Sequence, residues 1–161
     1  MQAATTLLIE ASDSQHPQAL RLLGEAAVEA RALYPELFAA GAPAPVNPPL
    51  GKRDLYLLAW RDGQTVGCGA LREHDAFTGE VGRMFVTRPA RRDGVARAVL
   101  AHLEREALAL GYHRLVLETG ARQQAAIGLY SSCGWRRVAA YGPFVGDAMS
   151  VCFGKTLSRR R

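Results

Sequence analysis

The chain has 161 residues, 48% of them hydrophobic and 22% charged, with a net charge of +5. This balance excludes collagenous and disordered chains, and the length suits one domain over residues 1–161 whose core needs neither disulfides nor a structural metal. No apolar run approaches the ~20 residues of a membrane helix, and the opening MQAATTLLIEASD lacks the marks of a secretory signal, so a cytoplasmic protein without membrane contact is expected.

In chain order, TTLLIEA at Thr5–Ala11 reads as a strand, and Asp13 or Ser14 offers an N-cap for a helix over Pro17–Leu33. Leu20, Leu23, Ala27 and Ala30 form its packing stripe. The proline-rich stretch Gly41–Gly51 can only be a loop or lid. Asp54–Arg61 and Gln64–Arg72 flank Asp62-Gly63, a hairpin signal, and Gly79–Thr87 gives a third strand. Gly67 and Gly69 mark a bulge or a close backbone approach.

A helical period then runs from Gly94 to Leu110 and closes at Gly111. His113–Glu118 reads as a buried strand, Gln123–Ser132 as a short helix, and Trp135–Ala139 and Met149–Thr156 as the last strands. Residues 158–161 form a frayed tail. The order β α β β β α β α β β implies an α/β (α+β layered) domain with a mixed, mostly antiparallel central sheet flanked by helices.

Cys68, Cys133 and Cys152 form no CxxC pair, and His16, His102 and His113 have no metal-ligand spacing, so no metal is expected. Only Lys52 and Lys155 are lysines, which leaves the positive charge to arginine, a side chain suited to phosphates and carboxylates. Between the third strand and the second helix Arg83, Arg88, Arg91, Arg92 and Arg97 face Asp93 alone. The unpaired amides of a helix start, reached past Gly94 and Ala96, make a cradle for a pyrophosphate; the alternative is a solvated basic turn.

The stretch Arg91-Arg92-Asp93-Gly94-Val95-Ala96 resembles the [QR]xxGx[GA] acyl-CoA loop of the GNAT superfamily of N-acetyltransferases, and Ala126–Trp135 resembles that superfamily's A-x-x-L-Y-x-x-x-G-[FW] element. The resemblance runs from about Thr5 to Leu157, and LETGARQ, YGPF and SVCFGK are similar to a bacterial subgroup. It implies the GNAT acyl-CoA N-acyltransferase fold, acetyl-CoA (coenzyme A) as cofactor, and transfer of an acetyl group to a primary amine of a small molecule or a protein. A homodimer is implied by the resemblance alone.

On that footing the cofactor diphosphate lies on the amides of Arg92, Asp93, Gly94, Val95, Ala96 and Arg97, with Arg91 beside them. The pantetheine arm pairs with Met84, Phe85 and Val86 like an added strand, and a backbone N–H near Phe85 or Val86 faces the thioester oxygen. Gln123 stands where many members carry Asn. Tyr130 is implied as proton donor to the departing thiolate, its alternative being packing against Leu129 or Trp135. Glu80 is the first choice of base; it could equally be an exposed edge residue. Glu118 is the rival base, or a partner of a nearby arginine, and His74 a third possibility or a solvated turn residue. Tyr34 and Glu36, with Phe38 and the proline-rich loop, would line one side of the acceptor cleft and Tyr141 and Phe144 the other. A silent acyl-CoA-binding sensor is the alternative within the fold. A basic nucleic-acid-binding module is the alternative outside it, although the chain carries no motif or stacking platform for nucleic acid.

Overall fold

The computed structural model describes residues 6–38 and 40–159, so Thr5 and the end of the tail lie outside the described residues. Seven strands form one sheet: β1 Leu8–Ala11, β2 Leu55–Arg61, β3 Gln64–Glu73, β4 Thr78–Val86, β5 Arg114–Gly120, β6 Arg136–Arg137 and β7 Ser150–Thr156. Their order is β1-β2-β3-β4-β5-β7-β6. Every neighbouring pair is antiparallel except β4 and β5. This is the mixed, mostly antiparallel sheet with flanking helices that the element order implied.

Helix α1 spans Pro17–Leu33, the range expected, but the cap is His16, whose Nδ1 accepts from the Gln18 N–H at 3.0 Å. Asp13 instead turns the chain one step earlier by accepting from the Gln15 N–H, and Ser14 is buried with its hydroxyl on the Pro48 carbonyl. The packing stripe is also displaced. Ala19, Leu22 and Leu23 are the buried positions, and Leu20 is exposed. The first two pack with Tyr56, Leu58, Cys68 and Ala70 on one face of the sheet.

Helices α2, Val95–Ala109, and α3, Gln124–Ser132, cover the other face. Val95, Val99, Leu103 and Ala107 of α2 and Tyr130 of α3 join Leu57, Leu71, Leu115, Leu117 and Phe153 in the larger core. Gly67 and Gly69 let α2 approach β3: a Cβ on Gly69 would lie 2.8 Å from Val99 Cγ1 and from Met84 Sδ. Asp62 and Gly63 both adopt positive φ, 54° and 75°, in the two-residue hairpin expected of them. Strand β6 is shorter than expected because only Arg136 and Arg137 pair with β7.

Two irregularities interrupt the sheet. Strands β4 and β5 pair over only four positions, Thr78↔Arg114 to Val81↔Leu117, and then separate while each continues. Opposite Gly69, the β3–β4 register shifts between Cys68↔Phe85 and Ala70↔Gly82, so β4 carries one extra residue. Val81 consequently packs in the larger core, whereas Phe85, an even step away on the same strand, packs with α1. An unbroken strand would put both on one face.

Among the described residues no helix is long and apolar enough to cross a membrane, and no group of three or more His, Cys, Asp or Glu is placed to hold a metal.

Candidate active site at the opening of the sheet

The gap beyond Val81 and Leu117 leaves one edge of β4 without a neighbour. The Thr87 N–H donates to the Val66 carbonyl at 2.9 Å, and alternation along an antiparallel ladder turns the N–H and C=O of Val86 the other way, toward the gap. The Val86 carbonyl accepts there from Arg91 Nε at 2.9 Å, which leaves its N–H as the open donor.

Past Val86 the chain makes a short turn, Arg88–Ala90, before α2. Arg92 at φ 68° and Gly94 at φ 80° curl the backbone around the helix start, and glycine is the residue that does this without a Cβ penalty. The first bond of α2 runs from the Ala98 N–H to the Gly94 carbonyl, so the N–H groups of Val95, Ala96 and Arg97 have no intrahelical acceptor. No acidic residue lies in the first turn of α2 and no side chain caps it. These free amides and the positive helix end fit a phosphate group.

The arginines around this cradle are less free than their density in the sequence suggests. Arg91 pairs with Glu29 of α1 at 2.6 Å, and Arg88 approaches the same carboxylate at 4.0 Å. Arg97 donates to Ser132 Oγ at 3.0 Å and Cys133 Sγ at 3.3 Å, and Arg83 turns to the proline-rich loop. Asp93 faces Arg61 at 3.5 Å. Arg92 alone of the five makes no hydrogen bond or ion pair to the described residues. Asp93 is therefore not the one carboxylate that this cluster meets: Glu29, distant in sequence, pairs with Arg91 and fastens the loop to α1. Gln123 is likewise engaged, its Oε1 accepting from the Gly120 N–H at 2.9 Å and from Thr119 Oγ1 at 3.0 Å.

On the α1 face of the gap stand two carboxylates. Glu80 pairs in register with Val116, and Glu118 follows two residues along β5, so both side chains share one face. Tyr141 Oη donates to Glu80 Oε2 at 2.7 Å, leaving Oε1 without a partner among the described residues. Burial, then that hydrogen bond, holds the Tyr141 phenol far above its ordinary value. Its ring sits between His74 at 5.3 Å and Phe144 at 5.5 Å, both edge-on. Glu118 accepts from Ser150 Oγ at 2.7 Å, so its partner is a hydroxyl and not the arginine considered from the sequence.

Burial raises the Glu118 carboxyl above its usual range, with Asp147 and Glu80 adding to the effect. The folded state therefore holds this proton more tightly than the unfolded chain. Its contribution to stability is complete below the ordinary carboxylate value and is lost as pH rises through the raised one. Glu118→Gln should remove that slope, so urea unfolding of wild type and variant from pH 4 to 7 should show the wild type losing stability relative to the variant as pH rises.

On the opposite face of the sheet, Tyr130 is 5% exposed and stacks against Trp135 and Phe153 at centroid distances of 6.0 and 5.8 Å. Its hydroxyl has no partner among the described residues, and burial pushes the phenol up to about 12. Packing against Trp135 thus holds alongside any chemical role.

The remaining acceptor-side residues are drawn into a latch. Tyr34 is buried and its Oη accepts from the Arg122 N–H at 2.9 Å, while the Arg122 guanidinium lies over the ring and pairs with Glu36. That pairing holds the Glu36 carboxyl below its usual range. Gly120 leaves the space the Tyr34 hydroxyl occupies, because any Cβ there would collide with it. Tyr34 and Glu36 therefore fasten the end of α1 to the end of β5, and Glu36 presents no free carboxylate. Ser150 and Asp147 were not anticipated; only the β5–β7 register, which sets Gly120 against Ser150, brings them to Glu118.

Residues 25–135 match the model of the acetyltransferase (GNAT) family. The chain is 40% identical over 110 residues to an IAA acetyltransferase of Azospirillum brasilense, covering 67% of this chain and 72% of that protein. Among solved structures it is similar to a putative acyl-CoA N-acyltransferase from Klebsiella pneumoniae, with TM-score 0.77, 28% identity and coverage of 94% and 98% of the two chains. It shares its fold with a GNAT family acetyltransferase from Elizabethkingia anophelis with acetyl-CoA bound, at TM-score 0.67, 17% identity and coverage of 94% and 98%.

Proposed function

The chain belongs to the acetyltransferase (GNAT) family, and from that premise we propose that it transfers the acetyl group of acetyl-CoA to a primary amine of a small molecule or a protein, by direct attack with both substrates bound. The observation that carries this reading is the opened β4–β5 gap, with an unpaired strand edge and free helix amides along one border and carboxylates on the α1 face. The amides of Val95, Ala96 and Arg97, with Arg92, would hold the diphosphate, and the Val86 N–H would face the pantetheine arm. When bound, acetyl-CoA supplies an acetyl group already activated as a thioester.

An amine of lysine-like pKa is mostly protonated at neutral pH, and freeing it costs about 4–5 kcal/mol. Glu80 Oε1, the open atom of a carboxylate steadied by Tyr141, would take that proton directly or through water. Glu118 beside it adds negative charge that draws a cationic amine to this face. Tyr130 has a narrower part. With its phenol near 12 and a thiol near 8.5, full proton transfer to a thiolate is uphill, so the hydroxyl keeps its proton and donates a hydrogen bond. We further propose, on the family resemblance, a cytoplasmic homodimer.

Release of free CoA thiol, measured for wild type and Tyr130→Phe against small amines and lysine peptides with acetyl-CoA binding by calorimetry, tests the reading. A charge-assisted hydrogen bond predicts turnover roughly 10- to 100-fold slower in the variant with binding nearly unchanged. Binding without transfer to any amine would replace the enzyme by an acyl-CoA sensor. Absence of binding would remove the reading of the cradle.

A further inference from the structure

Arg83 occupies the bulge of β4 at φ 56°, a backbone region that side-chain-bearing residues rarely adopt. A glycine would take this conformation freely, so the arginine is there for its side chain. That side chain crosses to the proline-rich loop, where Nε donates to Asn47 Oδ1 at 2.9 Å and Nη2 to the Val46 carbonyl at 3.0 Å. Asn47 is only 5% exposed and bonds in two further directions. Its Nδ2 donates to the Ser14 carbonyl at 2.9 Å, and its own carbonyl accepts from Gln15 Nε2 at 2.7 Å. Ser14 Oγ completes the tie by donating to the Pro48 carbonyl at 3.0 Å. Across the ladder, the Arg83 carbonyl accepts from Cys68 Sγ at 3.1 Å.

One residue therefore holds two structures at once. Its backbone makes the bulge that sets which groups of Met84–Val86 face the gap. Its side chain, unlike Arg91, meets only neutral acceptors, and these belong to the loop lying on the α1 face that also carries Glu80. We propose that Arg83 is a positioning residue that couples the cofactor edge of β4 to the proline-rich loop, so that seating acetyl-CoA along the edge also sets the loop that borders the acceptor. The coupling rests on the acetyltransferase reading, and coupled sites must respond to each other in both directions.

The test uses the full chain, ¹⁵N-labelled, titrated with acetyl-CoA alone while the Asn47 side-chain amide, the Val46 amide and the amides of Val86 and Val95–Arg97 are followed by NMR. In the wild type both sets of signals should move together along one titration curve. Arg83→Gly keeps a backbone able to form the bulge but removes the side chain. It should still bind acetyl-CoA, within about tenfold of wild type, with the helix amides responding and the loop signals silent. Asn47→Ala removes only the acceptor of Arg83 Nε and leaves the Nη2 bond to the Val46 carbonyl, so it should weaken the Val46 response without silencing it. A merely structural role would lower stability without separating the two sets. Loop signals that follow acetyl-CoA equally in Arg83→Gly, or that stay still in a wild type whose helix amides respond, would overturn the coupling and leave the acetyltransferase reading standing. A wild type in which no signal responds would overturn that reading, and the coupling with it.

Discussion

Replacing Glu80 by Gln should lower kcat/KM for the amine roughly 100- to 10,000-fold, the range for loss of a general base. Glutamine keeps the shape and still offers an oxygen to the Tyr141 hydroxyl, so the fall reports the lost proton acceptor and not a collapsed site. Affinity for acetyl-CoA should be unchanged, because the cradle and the open strand edge lie further along the chain, between Val86 and Arg97. The deficit should also shrink as pH rises, since a more alkaline medium deprotonates the amine without help. Steady-state kinetics from pH 6.5 to 9.5 should therefore show the variant climbing about tenfold per unit while the wild type climbs less. A loss smaller than about tenfold at neutral pH would transfer the role to Glu118, which lies on the same face of the sheet two residues along β5 from the partner of Glu80.

Phe153→Ala should cost about 3–5 kcal/mol in urea unfolding, the range for emptying a buried phenylalanine site. Phe153 is 1% exposed, on a strand with neighbours on both sides, and lies within the larger core. A domain of this kind holds roughly 5–15 kcal/mol in total, so the change consumes a large share. It should also reach the chemistry. Tyr130 packs against Phe153 and Trp135, and without one of them its ring loses a fixed orientation. Turnover of the folded fraction at low temperature should fall toward the Tyr130→Phe level. Full turnover in a destabilised Phe153→Ala would show that the hydroxyl position is immaterial.

Local chemistry made most of the fold legible. The Asp62-Gly63 turn, the helical periods on either side of the sheet and the switch to a phosphate-cradle pattern at Arg91–Ala96 each depend on neighbours a few residues apart. What stayed hidden depends on pairs far apart in the chain. Nothing near Arg88 and Arg91 reveals Glu29, and nothing near Glu118 reveals Ser150. The bulge was hidden for a different reason: GEVGRMFV alternates well enough to read as a plain strand, and an arginine carries no signal for positive φ. Tyr34 illustrates a third case, since nothing near it in the sequence reveals that Gly120 makes room for its hydroxyl and that the Arg122 N–H donates to it.

The separation of β4 from β5 also divides the candidate site between one contiguous part of the chain and several scattered ones. The proposed cofactor border is written in one uninterrupted stretch, Gly82–Arg97, whereas the two carboxylates and their partners come from separate segments, Glu80 with Tyr141 and Glu118 with Ser150. On the proposed reading, a new amine specificity could be built in the scattered part, provided that an exchanged proline-rich loop keeps the acceptors that Arg83 reaches.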